Sequence, residues 1–287
     1  MPWLMTIYLT FMNKRDESMQ KTILVTGATD GIGLETAKML VPMGHTVLLH
    51  GRQPAKLENV ERTLAAVPDG GRVESYLSDL SRMDEVEALA KAVAEKHAKL
   101  DVLINNAGVY SASNLITPDG LDVRFAVNTI APYLLTRQLL PLLGASGRVI
   151  NLSSAAQSPV NPDALAGRVS LPDMAAYSQS KLALTAWSRE MALSLGEDGP
   201  AVIAVNPRSL LGSKMVKEAF GVAGGDLRIG AEILCSLALE EEFAAASGQY
   251  FDNDIGQLAA PHPDALNPQK SKEILHVIET VLEKIKR

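Results

Sequence analysis

The chain has 287 residues, 47% of them apolar, and a net charge of −6. That content allows one large core, and an open α/β sheet of such length commonly forms a single domain. No Lys/Arg block supplies the basic stripe that nucleic acid requires, and five histidines without ligand spacing beside one cysteine exclude a His/Cys metal cage.

Residues 1–18 read as an N-terminal extension, expected to be poorly ordered. Met1 to Met12 is apolar but far shorter than a membrane span of about 20 residues. The charges Lys14, Arg15, Asp16 and Glu17 follow the apolar run, whereas a secretory signal carries its positive charge first. A dispensable extension is therefore favoured over a surface-lying anchor, with the domain occupying 19–287 and no integral membrane span.

Beyond the extension, apolar runs of strand length alternate with helical patterns. Thr22–Thr26, Thr46–His50, Val73–Leu77, Val102–Ile104, Arg148–Leu152 and Ala201–Val205 read as strands. Gly31–Met43, Pro54–Val67, Arg82–His97, Pro118–Leu143 and Met174–Leu195 read as helices between them. This alternation predicts parallel pairing with right-handed crossovers. Continuous apolar runs such as Ala201–Val205 fit strands covered on both faces. Ser158–Pro172 reads as a loop, the pattern loosens from Pro207 through Gly230, and a tail helix is expected over about Ser271 to Lys286. Cys235, inside the apolar run Ile233–Leu237, reads as a small buried hydrophobe, and a lone cysteine suits a reducing, cytoplasmic setting.

Thr26-Gly27-Ala28-Thr29-Asp30-Gly31-Ile32-Gly33 follows the first strand and opens the first long helix. Glycines there permit a tight turn and let a pyrophosphate approach backbone N–H groups at a helix N-terminus. The strand–turn–helix setting separates this cluster from an ordinary turn. Arg52 follows the second strand, where a carboxylate suits the ribose of NAD and an arginine suits the 2′-phosphate of NADP. NADP(H) is accordingly predicted over NAD(H), with Asp30 a second charge near the same phosphate. Asp79-Leu80 and Asn105-Asn106-Ala107-Gly108 follow the third and fourth strands, at the carboxyl ends where open α/β sheets bind ligands.

Tyr177 and Lys181 stand four residues apart on a predicted helix, hence on one face. Lowering a phenol from about 10 to about 7 requires roughly 4 kcal/mol of preferential phenolate stabilisation. One positive charge at about 4 Å supplies that order of energy at an effective dielectric near 20. The pair reads as an acid/base catalyst. Asn128 lies four residues before Pro132, which has no N–H, so the Asn128 carbonyl loses its helical partner and is free to hold a water.

Taken together, Thr26–Gly33, Asp79, Asn105–Gly108, Asn128, Ser154, Tyr177, Lys181 and Asn206-Pro207 closely resemble the short-chain dehydrogenases/reductases, in order over about Lys21 to Tyr250. The resemblance implies a single-domain Rossmann-type α/β fold, a doubly wound parallel sheet with helices on both faces. It implies a Ser–Tyr–Lys triad with an assisting Asn: Ser154, Tyr177, Lys181 and Asn128, with Ser154 preferred to Ser153. It implies dinucleotide contacts from Gly27, Thr29, Asp30, Gly31, Ile32, Gly33, Arg52, Asp79, Leu80, Asn106, Ala107, Gly108, Tyr177, Lys181 and Pro207. Ser154 would hold the carbonyl oxygen, Tyr177 donate the proton, and Lys181 lower the tyrosine pKa and bind the nicotinamide ribose. The 23-residue step from Ser154 to Tyr177 resembles the retinol dehydrogenase-like subgroup, in which an inserted loop precedes the tyrosine.

Where the family places Pro-Gly after the sixth strand, this chain has Pro207-Arg208. A side chain there crowds the cofactor or demands a disfavoured backbone angle. Residues 208–230 are expected to form the substrate lid, with Lys214, Met215 and Phe220 as candidate pocket residues. The resulting expectation is an NADP-dependent oxidoreductase acting on a small hydrophobic alcohol or carbonyl, as monomer or homodimer. The alternative is a catalytically impaired, redox-sensing dinucleotide-binding protein. A serine hydrolase is excluded, since Ser154 has no Gly-x-Ser-x-Gly elbow and no evident His partner.

Overall fold

The computed structural model describes residues 20–286; the expected extension at 1–18 lies outside the described residues. The elements follow as β1 (Thr22–Val25), α1 (Gly31–Leu40), β2 (Thr46–Gly51), α2 (Pro54–Ala65), β3 (Val73–Leu77), α3 (Met83–Lys96) and β4 (Val102–Asn105). Then come α4 (Val123–Phe125), a π-helical turn (Ala126–Ile130), α5 (Ala131–Leu143), β5 (Arg148–Leu152), α6 (Pro162–Leu165), α7 (Asp173–Leu195) and β6 (Ala201–Asn206). The chain closes with α8 (Lys214–Phe220), α9 (Leu227–Leu239), β7 (Tyr250–Asp252), β8 (Gln257–Ala259), α10 (Pro263–Leu266) and α11 (Pro268–Ile285).

The strands form one sheet in the order β3-β2-β1-β4-β5-β6-β7-β8, parallel throughout except for antiparallel β8 at the edge. Side chains of each strand alternate between two cores. Leu24, Leu103, Val149 and Val202 face α3, α5, α7 and α11, whereas Ile23, Val25, Ile104, Ile150 and Ile203 face α1, α2 and α9. Both faces are covered, which is why the strands carry unbroken apolar runs. The strand order reverses between β1 and β4, and this switch point opens a crevice at their carboxyl ends.

Several expected boundaries move. The helix expected from Pro118 begins at Val123. Residues before it close a turn in which Thr117 N–H donates to the Leu121 carbonyl at 2.8 Å and Gly120 takes φ +76°. Asp122 then caps the helix by accepting from Arg124 N–H at 2.9 Å. The supposed loop 158–172 contains α6, capped by Asn161. The 208–230 segment contains α8 and the start of α9, so about half of it is helical. The tail helix starts at Pro268, with Asn267 as its cap. The antiparallel β8, a three-residue strand, has no counterpart in the sequence reading.

Candidate active site

The glycine turn is built from steric requirements. Gly27 and Gly31 adopt φ +66° and +57°, conformations that L side chains rarely take. A Cβ at Gly33 would overlap the Gly27 carbonyl oxygen and the Asn106 amide, so α1 can pack this close only with glycine. A Cβ at Gly31 would meet nothing within 4 Å, which leaves that side of the turn open to close approach. The free N–H groups of α1 and this open side fit a pyrophosphate. Asn106 ties the fourth-strand loop to the turn, donating from Nδ2 to the Thr26 carbonyl at 2.8 Å and to that of Gly27 at 3.2 Å. Ala107 N–H adds a bond to Thr26 Oγ1 at 3.0 Å.

A residue that sequence reasoning passed over completes this corner. His50 Nδ1 accepts from Gly27 N–H at 3.1 Å, which leaves Nε2–H to donate to the Ser78 carbonyl at 3.0 Å. Desolvation pushes its pKa down to about 4, so the ring is neutral and staples the glycine turn to the loop after β3. The only sequence signal was a polar residue inside the otherwise apolar run of β2.

On the far side of His50, Asp79 closes its own turn, accepting from Ser81 N–H at 3.0 Å, and its N–H donates to Glu85 at 2.6 Å. The Leu80 side chain is buried in the core, so only its backbone is placed for a ligand. Arg52 is exposed and forms no ion pair among the described residues. Asp30 caps α1, Oδ1 accepting from Gly31 N–H at 2.8 Å, and Thr29 packs its methyl over Gly51. Ile32 and Gly33 form the first turn of α1.

On the other side of the crevice, α7 brings Tyr177 and Lys181 beneath Gly108. Lys181 is buried, and its Nζ donates to the Leu152 carbonyl at 2.7 Å and lies 5.8 Å from the centre of the Tyr177 ring. Ser154 Oγ accepts from Ala156 N–H at 3.1 Å and stands close enough to the Tyr177 phenol to favour its ionised form. Ser153 points the other way: its hydroxyl meets Thr185 Oγ1 at 2.7 Å and the Lys181 carbonyl at 3.1 Å. Of the two serines, only Ser154 reaches the tyrosine. Tyr110 packs edge-on against Tyr177, with ring centroids 5.5 Å apart.

Asn128 lies fully buried in the π-helical turn that precedes Pro132. Its side chain clamps the loop after β4: Oδ1 accepts from Val109 N–H at 2.8 Å, and Nδ2 donates to the Val109 carbonyl at 2.9 Å and Ser180 Oγ at 3.0 Å. Met215 on α8 reaches the same place. A Cβ at Gly108 would stand 3.6 Å from Met215 Cε and 3.5 Å from both Lys181 Nζ and Asn128 Oδ1. Lys214 instead points outward, 3.5 Å from Glu218, and the Phe220 side chain lies outside the described part.

Electrostatically the pair differs from its expected form. Burial pushes the Tyr177 phenol above its ordinary value, opposed by the Ser154 hydrogen bond. Burial also lowers Lys181, to about 7, so desolvation acts on both members of the pair. Pro207 is buried, its carbonyl accepting from Asn253 Nδ2 at 3.0 Å, and Arg208 stands at φ +111°. The disfavoured backbone angle anticipated for a non-glycine residue is thus present.

The sequence profile of the family described as "short chain dehydrogenase" matches residues 21–221. Human retinol dehydrogenase 13 is 32% identical over 280 residues, covering 88% of this chain and 82% of its own. Human polyprenol dehydrogenase is 34% identical over 192 residues, 64% of this chain and 58% of its own. Among solved structures, a putative uncharacterized protein from Mycobacterium Paratuberculosis superposes with a TM-score of 0.76 at 26% identity, covering 92% of this chain and 94% of its own. The landomycin C-6 ketoreductase LanV with bound NADP and rabelomycin superposes with a TM-score of 0.64 at 29% identity, covering 81% and 94%. A serine, a tyrosine and a lysine gathered beside a glycine turn at the sheet's switch point have the same meaning as these matches: the chain belongs to the short-chain dehydrogenase family, in its retinol dehydrogenase-like group, and is an oxidoreductase of CH–OH/C=O pairs that uses a nicotinamide dinucleotide.

Proposed function

We propose that the protein is an NADP-dependent oxidoreductase that interconverts a small hydrophobic alcohol and its carbonyl, with Tyr177 as the proton carrier. The observation that carries this reading is the convergence of the Ser154 hydroxyl, the Tyr177 phenol and the buried Lys181 ammonium beneath Gly108. The dinucleotide would lie along the glycine turn, Arg52 and the Asn106–Gly108 loop, and when bound it supplies the hydride that reduces the carbonyl carbon. Ser154 Oγ accepts from Ala156 N–H, and its single hydrogen, which favours the Tyr177 phenolate in the free site, would turn to the substrate oxygen. Tyr177 gives that oxygen its proton, and Lys181, held by the Leu152 carbonyl, returns one through a water on the Asn128 carbonyl. The Tyr110 ring and Met215 form apolar walls beside this point, which suits a hydrophobic substrate.

Arg52, exposed where β2 ends and without an ion pair among the described residues, supports NADP(H) over NAD(H). No described helix is long and apolar enough to cross a membrane. The single cysteine, Cys235, is what supports a reducing, cytoplasmic compartment. It would act as a monomer or homodimer. Arg208 at φ +111° favours a second reading, a dinucleotide-binding protein with impaired chemistry.

Titration with NADPH and NADH, followed by nicotinamide fluorescence, tests the first reading. Tight NADPH binding with turnover of hydrophobic aldehydes or ketones supports it. Binding without turnover on any carbonyl supports the second reading, and binding of neither dinucleotide refutes both.

A further inference from the structure

Arg124 is a fully buried arginine that the proposed chemistry does not use. Its fork is shared between two carboxylates. Nε and Nη2 donate to Asp122 at 2.8 and 2.6 Å, and Nη1 donates to Asp173, so one guanidinium joins α4 to the first residue of α7. Both ends of this link stand one turn short of the site. Arg124 comes four residues before Asn128, and Asp173 comes four before Tyr177. The start of α7 needs such a tie, because its N-cap is Pro172, which offers no side-chain acceptor to the free N–H groups of the first turn. Tyr177 therefore lies one turn from a helix end without a side-chain cap.

Further along α7, Ser180 is fixed to the π-helical turn. Its hydroxyl accepts from Asn128 Nδ2 at 3.0 Å, and its carbonyl accepts from Thr129 Oγ1 at 2.8 Å. The segment from Asp122 to Ile130 thus holds α7 at Asp173 and again at Ser180, with Tyr177 between the two ties. Loss of hydration offsets much of the attraction in a buried ion pair, so what this one chiefly provides is fixed geometry. We propose that Arg124, acting through Asp173, is a positioning residue for Tyr177: the pair holds the first turn of α7 so that the phenol keeps its place in the site. Arg124 touches neither substrate nor dinucleotide, and its effect passes through the backbone of one helical turn.

This inference rests on the reading of Tyr177 as proton carrier, and two measurements on the full chain separate them. The variants are Asp173→Ala and Asp173→Asn. Both remove the charge that favours a helix N-terminus, but only asparagine keeps an oxygen for Arg124. Asp122 still neutralises the buried guanidinium in both, and the Asp173 side chain is half-exposed, so the fold is retained. Turnover of decanal with NADPH is expressed per dinucleotide-binding site, so that loss of folded protein does not enter kcat. Asp173→Ala should lower kcat about tenfold with KM and the NADPH dissociation constant unchanged, whereas Asp173→Asn should keep most of it. Hydrogen exchange at the amides of Tyr177–Ser180 should be about tenfold faster in Asp173→Ala, with Ala183–Leu195 unaffected and asparagine close to wild type. Unchanged kcat per site in Asp173→Ala, or equal losses in both variants, overturns the positioning role and leaves the Tyr177 reading standing. If the wild type turns over no decanal or other carbonyl, the proton-carrier reading fails and exchange alone decides. Faster exchange at Tyr177 confined to the alanine variant then supports the positioning role, and unchanged exchange overturns it.

Discussion

Arg208→Gly should stabilise the protein. Arg208 holds φ +111°, where a Cβ crowds the backbone and glycine does not. Non-glycine residues in such regions carry about 1–3 kcal/mol of strain. Glycine returns part of that gain, about 0.4–1 kcal/mol, through the greater freedom of the unfolded chain. Little is lost with the side chain, which is exposed and adds only a through-space attraction to Asp254. The loop itself is held by other groups. Asn206 Nδ2 donates to Asp252 at 2.9 Å and to Asp254 at 2.8 Å, and Ser209 N–H donates to Asp254 at 2.9 Å. These bonds over-determine the backbone, which is how the angle survives with arginine in place. The net gain is about 1 kcal/mol, which for a domain of this size raises Tm by roughly 2 °C. Thermal unfolding by circular dichroism reads this directly. Arg208→Ala serves as the control, since it removes the guanidinium but keeps the Cβ. The backbone argument predicts that Gly stabilises and Ala does not. Equal gains for both, or none for Gly, would refute it. Turnover should also rise in Arg208→Gly if the side chain crowds the nicotinamide; unchanged kinetics would dismiss that crowding.

Tyr177→Phe should lower kcat by about 10²–10⁴-fold and leave NADPH binding nearly unaltered, as measured by steady-state kinetics and fluorescence titration. His50 has a folded pKa of about 4 against about 6.5 when unfolded, so the unfolded chain binds its proton more tightly. The stability it contributes is complete above pH 6.5 and is lost as pH falls towards 4, by about 2 kcal/mol between pH 8 and 5. Urea unfolding of wild type and His50→Asn at those pH values should show the wild type steeper; parallel slopes would contradict the assignment. Lys181, depressed to about 7, makes stability increase with pH between about 7 and 10.5. Lys181→Met removes a penalty of about 4 kcal/mol at pH 7.5 but deprives the Leu152 carbonyl of its donor, about 1–3 kcal/mol. A net gain in urea midpoint with loss of turnover is expected, and a drop in midpoint would count against the buried-lysine account. Gly33→Ala should abolish dinucleotide binding and destabilise the fold, because its Cβ would meet the Gly27 carbonyl.

The sequence by itself determined the order of strands and helices, the glycine turn and the pairing of Tyr177 with Lys181. Each is written in short-range spacing: unbroken apolar runs for strands buried on both faces, glycines where φ must be positive, a four-residue step on one helix face. The mismatch at Arg208 was legible for the same reason, since a backbone angle belongs to one residue. Only the tertiary structure decided what depends on distant partners. Ser153 and Ser154 are adjacent, yet packing against Thr185 turns one into α7 and leaves the other with Tyr177. His50 is an isolated polar residue in β2 until Gly27 and Ser78 meet its two nitrogens. The four-residue step places Lys181 beside the phenol, but that burial lowers the lysine to about 7 is a property of the packed site. Spacing along the chain says which groups are neighbours; how much water each one loses is settled only when the sheet, α7 and the loop after β4 close around them.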